Sequence, residues 1–103
     1  MDRIEKIKEL LKDNPIDSFL RHALALEYIK LEDFTLAQQT FIELLNDDPN
    51  YVGSYYHIAK LLESQNEKEK AIFYYEKGME IAKKLNDRHA YNELQSAYEE
   101  YLY

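Results

Sequence analysis

The residues best suited to chemistry near neutral pH are three histidines, His22, His57 and His89, since imidazole titrates in that range and is a common metal ligand. Their spacing does not assemble a site. There is no H-E-x-x-H, no histidine pair at i and i+4, and no acidic loop of EF-hand form, so no metal and no cofactor are expected. His22 and His89 are expected on an inner surface and His57 on a partly exposed helix. Glu99-Glu100 and Asp47-Asp48 are carboxylate pairs that can in principle exchange protons, but adjacent helical positions point apart and form no pocket, so both pairs read as solvated charge. No G-x-S-x-G, no phosphate-cradling glycine loop and no nucleophile beside a base is present, and the absence of cysteine removes thiolate chemistry. The expectation is a protein that is not an enzyme. What remains is contact: ten tyrosines offer apolar area with a polar tip, as interfaces favour.

The surroundings narrow the choice of partner. A formal net charge of −7 repels phosphate backbones and anionic membrane surfaces, so neither nucleic acid nor membrane is expected. Charges run all through the opening "MDRIEKIKELLKDN", which therefore reads neither as a signal peptide nor as a membrane span. A cytoplasmic location is expected. With 103 residues, 46% of them hydrophobic, and only two glycines, the chain suits one small folded domain.

Apolar residues recur three or four apart almost throughout, while strand-type alternation and glycine-rich hairpin turns are missing, which predicts an all-α fold. Breaks at Asn14-Pro15, Glu32-Asp33, Asp48-Pro49-Asn50, Gln65-Asn66 and Asn86-Asp87 leave six helices near 2–13, 17–31, 34–47, 51–64, 68–85 and 88–102. Linkers this short predict antiparallel hairpins. The chain's two prolines, Pro15 and Pro49, stand 34 residues apart. A shift of 34 lays Ile7 on Phe41 and Tyr75, Leu10 on Leu44, Leu24 on Ile58, Ala25 on Ala59, Tyr28 on Leu62 and Ala37 on Ala71. Large meets large and small meets small.

These spacings resemble the tetratricopeptide repeat (TPR), a helix–turn–helix unit of 34 residues patterned W-x2-L-G-x2-Y, A-x3-F and P. One repeat reads Arg21-x2-Leu24-Ala25-x2-Tyr28, Ala37-x3-Phe41 and Pro49, with Arg21 and Ala25 departing from the pattern. The next reads Tyr55-x2-Ile58-Ala59-x2-Leu62 and Ala71-x3-Tyr75, with Lys83 in the place of the proline, so its second helix can run on to about Leu85. Tyr91-x2-Leu94-Gln95-x2-Tyr98 repeats the first-helix pattern after a two-residue slip. The expected organisation is a single TPR domain over 1–103: a half-repeat helix over 1–15, repeats over 16–50 and 51–86, and a capping helix over 87–103, stacked as a short right-handed solenoid.

The resemblance implies a scaffold or adaptor that binds a peptide or partner protein in a concave groove lined by the first helix of each hairpin. The groove positions it implies are Phe19, His22, Leu26 and Ile29, then Tyr56, Lys60 and Glu63, then Asn92, Ser96 and Glu99. One TPR subtype grips chaperone tails through Lys, Asn and Arg. His22 and Leu26 stand where that subtype places Lys and Asn, which disfavours such a role here. The helix "DSFLRHALALEYIKL" is apolar over more than one face: Leu20, Leu24, Tyr28 and Leu31 form the stripe expected to face the stack, with Phe19, Leu26 and Ile29 left off it. That surplus supports a second expectation, a homodimer built through an exposed apolar edge, so the chain is expected to be a monomer or a homodimer.

Overall fold

Short acidic side chains start most of the helices. The structure, a computed structural model, describes residues 2–103 and contains α1 (Arg3–Asp13), α2 (Ser18–Lys30), α3 (Phe34–Asp47), α4 (Gly53–Ser64), α5 (Lys68–Lys84) and α6 (Arg88–Leu102). Asp2, Asp17, Asp33 and Asp87 each accept a hydrogen bond from the backbone N–H three residues on, which satisfies one of the donors a helix start leaves open. Two starts lack this device. Glu67 makes no side-chain cap bond, and Val52 has no polar side chain to offer. α4 therefore begins at Gly53, two residues later than the sequence pattern suggests, through tight bonds from Ser54 N to Tyr51 O and Tyr55 N to Val52 O.

The helices stop in two ways. α1 and α3 end at Asn14 and Asp48, each directly before a proline that has no N–H to continue the ladder. α2, α4 and α5 end instead in a left-handed residue, Glu32, Asn66 and Asn86, with φ of 60°, 60° and 57°. Around each one the same pair of bonds closes the helix. Asp33 N reaches Tyr28 O and Glu32 N reaches Ile29 O, with the counterparts Glu67 to Leu62 and Asn66 to Glu63, then Asp87 to Ala82 and Asn86 to Lys83. α5 lacks the proline and runs on to Lys84, as the substitution by Lys83 implies.

The helices divide into two units, one ending at Pro49 and one spanning Asn50–Tyr103. In the first, α2 and α3 form an antiparallel hairpin and α1 packs on α2. Ala25 and Ala37 are fully buried beside Phe41 and Leu44, since side chains this small let two helices approach closely. Leu24 and Tyr28 of the expected stripe are buried, but Leu31 is exposed, because it is the cap residue beyond the last helical turn. Leu10 is exposed as well, although its 34-shifted counterpart Leu44 is fully buried.

In the second unit, α5 packs on both α4 and α6, and α4 also touches α6. Tyr55, Ile58, Ala59, Leu62, Ala71, Tyr75 and Leu94 form its core. Gly78 marks the tightest approach: a Cβ there would sit 2.6 Å from Tyr55 Cβ and 3.0 Å from Leu94 Cδ1, so α5 meets its neighbours with bare backbone. Tyr75 stacks edge-on to Tyr98 and tilted to Tyr101, which draws two of the tyrosines of the closing helix into packing.

Candidate partner-binding faces

Within the first unit, the four residues marked on α2 behave differently. Phe19 is 69% exposed, while Leu26 and Ile29 are half-buried. His22 is half-buried too, its ring edge-on to Phe41 of α3 with centroids 5.7 Å apart. α2 is held in place by polar ties that the sequence reading missed. Ser18 Oγ donates to Asp48 Oδ2 at 2.6 Å, and Arg21 Nη1 donates to Asp47 Oδ2 at 2.9 Å. Asp47 and Asp48 are therefore not merely solvated charge, as their adjacency suggests, but the anchors of the helix that carries the face. At the other end of α2, Glu27 meets both Arg3 and Lys30.

Within the second unit, Tyr56, Lys60 and Glu63 lie at helical spacing along α4. Tyr56 is half-buried with its ring edge-on to His57, and Lys60 is exposed. Glu63 is committed: it accepts the Tyr75 phenol at 2.7 Å and lies 3.6 Å from Lys60 Nζ. Burial, aided by this bond, pushes the Tyr75 phenol far above the ordinary tyrosine range, so it stays a donor at any physiological pH. Burial also lowers His57 below the usual histidine value, opposed by the nearby Glu93 carboxylate. Asn92, Ser96 and Glu99 are all exposed along α6, as is His89. Tyr98 donates to Glu76 at 2.7 Å and ties α6 to α5.

A cleft of about 440 Å³ opens where α5 turns into α6, lined by Ala82 and Lys83 of α5, Asn86 and Asp87 of the turn, and Arg88, Tyr91 and Asn92 of α6. Of these only Asn92 is among the positions read from the sequence. The signal was present in "KKLNDR" (83–88), whose cations flank the turn. Among the described residues, no three His, Asp or Glu side chains gather as a metal-binding group, and no helix is long and apolar enough to cross a membrane.

Residues 52–85 match the sequence model of the tetratricopeptide repeat. Among solved structures, a tetratricopeptide repeat domain protein from Salinibacter ruber is 39% identical. Its solution structure aligns with a TM-score of 0.80 over 82% of this chain and 86% of that one, and its crystal structure with 0.78 over 82% and 94%. The TPR2B domain of yeast Sti1, solved as a complex with pHsp70, is 20% identical with a TM-score of 0.87 over 95% of this chain and 78% of that one, a likeness of fold. No curated protein matches the sequence. The repeat spacing, the small residues at the helix contacts and the Salinibacter ruber relative agree: the chain belongs to the tetratricopeptide repeat family.

Proposed function

We propose that this chain is a non-enzymatic, cytoplasmic interaction module that binds a peptide or partner protein through a face of α2 in the first unit and a face of α4 and α6 in the second. Phe19, His22, Leu26 and Ile29 form the face offered by the first unit. Tyr56, Lys60 and Glu63, with Asn92, Ser96 and Glu99, form that of the second. The observation that carries the reading is Phe19, a large aromatic ring 69% exposed on a helix whose buried side is already complete with Leu24, Ala25 and Tyr28. Stability does not require it there. The rigid hold on Glu63 supports the same reading, because a carboxylate fixed by Tyr75 and Lys60 presents one orientation to an incoming chain. The structure of the yeast Sti1 domain as a complex with pHsp70 gives an instance of this fold meeting a partner.

A second reading has a specific observation behind it. Ile16, three residues before Phe19 in the chain, is 78% exposed, so this end of α2 also suits a second copy of the chain, giving a homodimer. One experiment separates the two. The full chain is panned against displayed random dodecapeptides and weighed by sedimentation at several concentrations, beside Phe19→Ser and Tyr56→Ala. The module reading expects an enriched peptide family, a constant monomer mass, and about tenfold weaker binding in each variant at nearly unchanged melting temperature. Failure to enrich any peptide overturns it; a dimer that Phe19→Ser dissociates establishes the second reading.

A further inference from the structure

We infer that the cleft between the end of α5 and the start of α6 is a subsite for an acidic stretch of a bound polypeptide. The inference rests on the peptide-binding reading above and adds the charge of the partner. Of the thirteen lysines and arginines, six meet a carboxylate: Arg3, Arg21, Lys30, Lys60, Lys70 and Lys77. Lys83, Lys84 and Arg88 meet none among the described residues. Lys83 and Arg88 both line the cleft, with Lys84 next to Lys83 in the chain, and they make this a basic corner on a chain whose net charge is −7. One carboxylate, Asp87, also lines the cleft; it caps α6, accepting from Ala90 N at 3.0 Å, and leaves the cationic side chains in excess.

The corner has shape as well as charge. Its volume of about 440 Å³ lies within the range of ligand sites and exceeds what a lone carboxylate or phosphate fills. Its walls are fixed by the turn itself, in which Asn86 N bonds Lys83 O at 3.1 Å and Asp87 N bonds Ala82 O at 2.9 Å, so the two cationic walls keep their spacing. Arg88 offers a planar fork that matches a carboxylate, and Lys83 adds a point charge. Asn86, Asn92 and Tyr91 supply neutral donors around them. Asn92 also belongs to the α6 face, so the cleft continues the surface proposed to hold the polypeptide. An acidic segment is repelled by most of this protein and welcomed here, which would fix the direction in which a peptide lies.

The dodecapeptide selection tests this, with Arg88→Glu and the doubly neutral Lys83→Gln/Arg88→Gln panned beside wild type. Arg88 is exposed at the first position of α6, where a glutamate suits the helix, so the charge reversal should fold. The expected result is a wild-type pool enriched in Asp and Glu, an Arg88→Glu pool without that bias, and about tenfold weaker binding of a selected acidic peptide by the doubly neutral variant. Enriched peptides with no acidic bias, or a bias that both variants keep, overturn this inference and leave the peptide-binding reading standing. No enriched peptide at all overturns both. Displacement of the selected peptide by an equal concentration of inorganic phosphate would mark a site for free anions and overturn the assignment to a polypeptide.

Discussion

Arg21 reaches from α2 to Asp47 at the end of α3, Nη1 to Oδ2, at 2.9 Å, with its own side chain only 12% exposed and that of the aspartate 58% exposed. Arg21 stands where the family pattern has a tryptophan and where the second repeat has buried Tyr55. The first unit therefore closes its hairpin with an ion pair at the position where the second uses an aromatic ring. A half-exposed pair of this kind is worth little in water, so a double-mutant cycle of Arg21→Met and Asp47→Asn is expected to give a coupling of about 0.5–1 kcal/mol that shrinks in molar salt. Chemical denaturation in low and high salt measures it. A coupling indistinguishable from zero at low salt would mean that Arg21 acts through packing of its stem alone.

The two glycines should respond in opposite directions. Gly53, at the start of α4, has open space where a Cβ would go, so Gly53→Ala is expected to stabilise by about 0.5–1 kcal/mol through lower freedom of the unfolded chain. At Gly78 the added carbon would fall 2.6 Å from Tyr55 Cβ, an atom fixed to the α4 backbone rather than a flexible end. The helix must shift, and Gly78→Ala is expected to cost about 1–3 kcal/mol despite the better helix propensity of alanine. Paired denaturation midpoints decide it, and equal shifts for the two variants would contradict the close contact of α4 and α5.

Much of this architecture is legible in the chain because it is set by local rules repeated at a fixed interval. Ala25, Ala37, Ala59 and Ala71 recur where helices touch, and all four are fully buried. Proline and left-handed asparagine write the stops into the sequence. What periodicity cannot show is which neighbour a side chain meets. Glu63 is tied to Tyr75 and His22 lies against Phe41, contacts 12 and 19 positions away along the chain that helical spacing does not reveal. The pairing of Arg21 with Asp47 was hidden for the same reason. The basic cleft escaped notice because Lys83 and Arg88 share it only after Asn86 has turned the backbone back on itself.

Glu32 is the least suited of the three left-handed stops. Asn66 and Asn86 occupy the equivalent positions with a residue that tolerates φ near 60°, whereas glutamate pays the full steric cost of its Cβ against the carbonyl. Glu32→Asn is expected to stabilise by about 0.5–1 kcal/mol, which for a chain of this size raises the melting temperature by roughly 2–8 °C. Asn86→Ala should shift it the other way. A scan in which Glu32→Asn leaves the melting point unmoved would show that strain at this turn is relieved by its surroundings.

The last expectation concerns pH. His57 is half-buried on α4, and loss of hydration holds its folded-state value below the ordinary 6.5, with the charge of Glu93 only partly restoring it. A histidine that binds its proton less well when folded favours the unfolded chain once protonation begins. Its contribution is therefore complete above about pH 7.5 and is lost as the pH falls through 6.5 toward the lowered folded value. The denaturation midpoint is expected to fall between pH 7.5 and 5.5, before most carboxylates titrate, and to fall less in His57→Gln, which keeps polarity without the proton. The difference between the two curves isolates this side chain from His22 and His89. Parallel curves would mean that protonated His57 is as comfortable folded as unfolded. A steeper fall in the variant would reverse the sign of the effect, assigning the stabilising role to the pairing with Glu93.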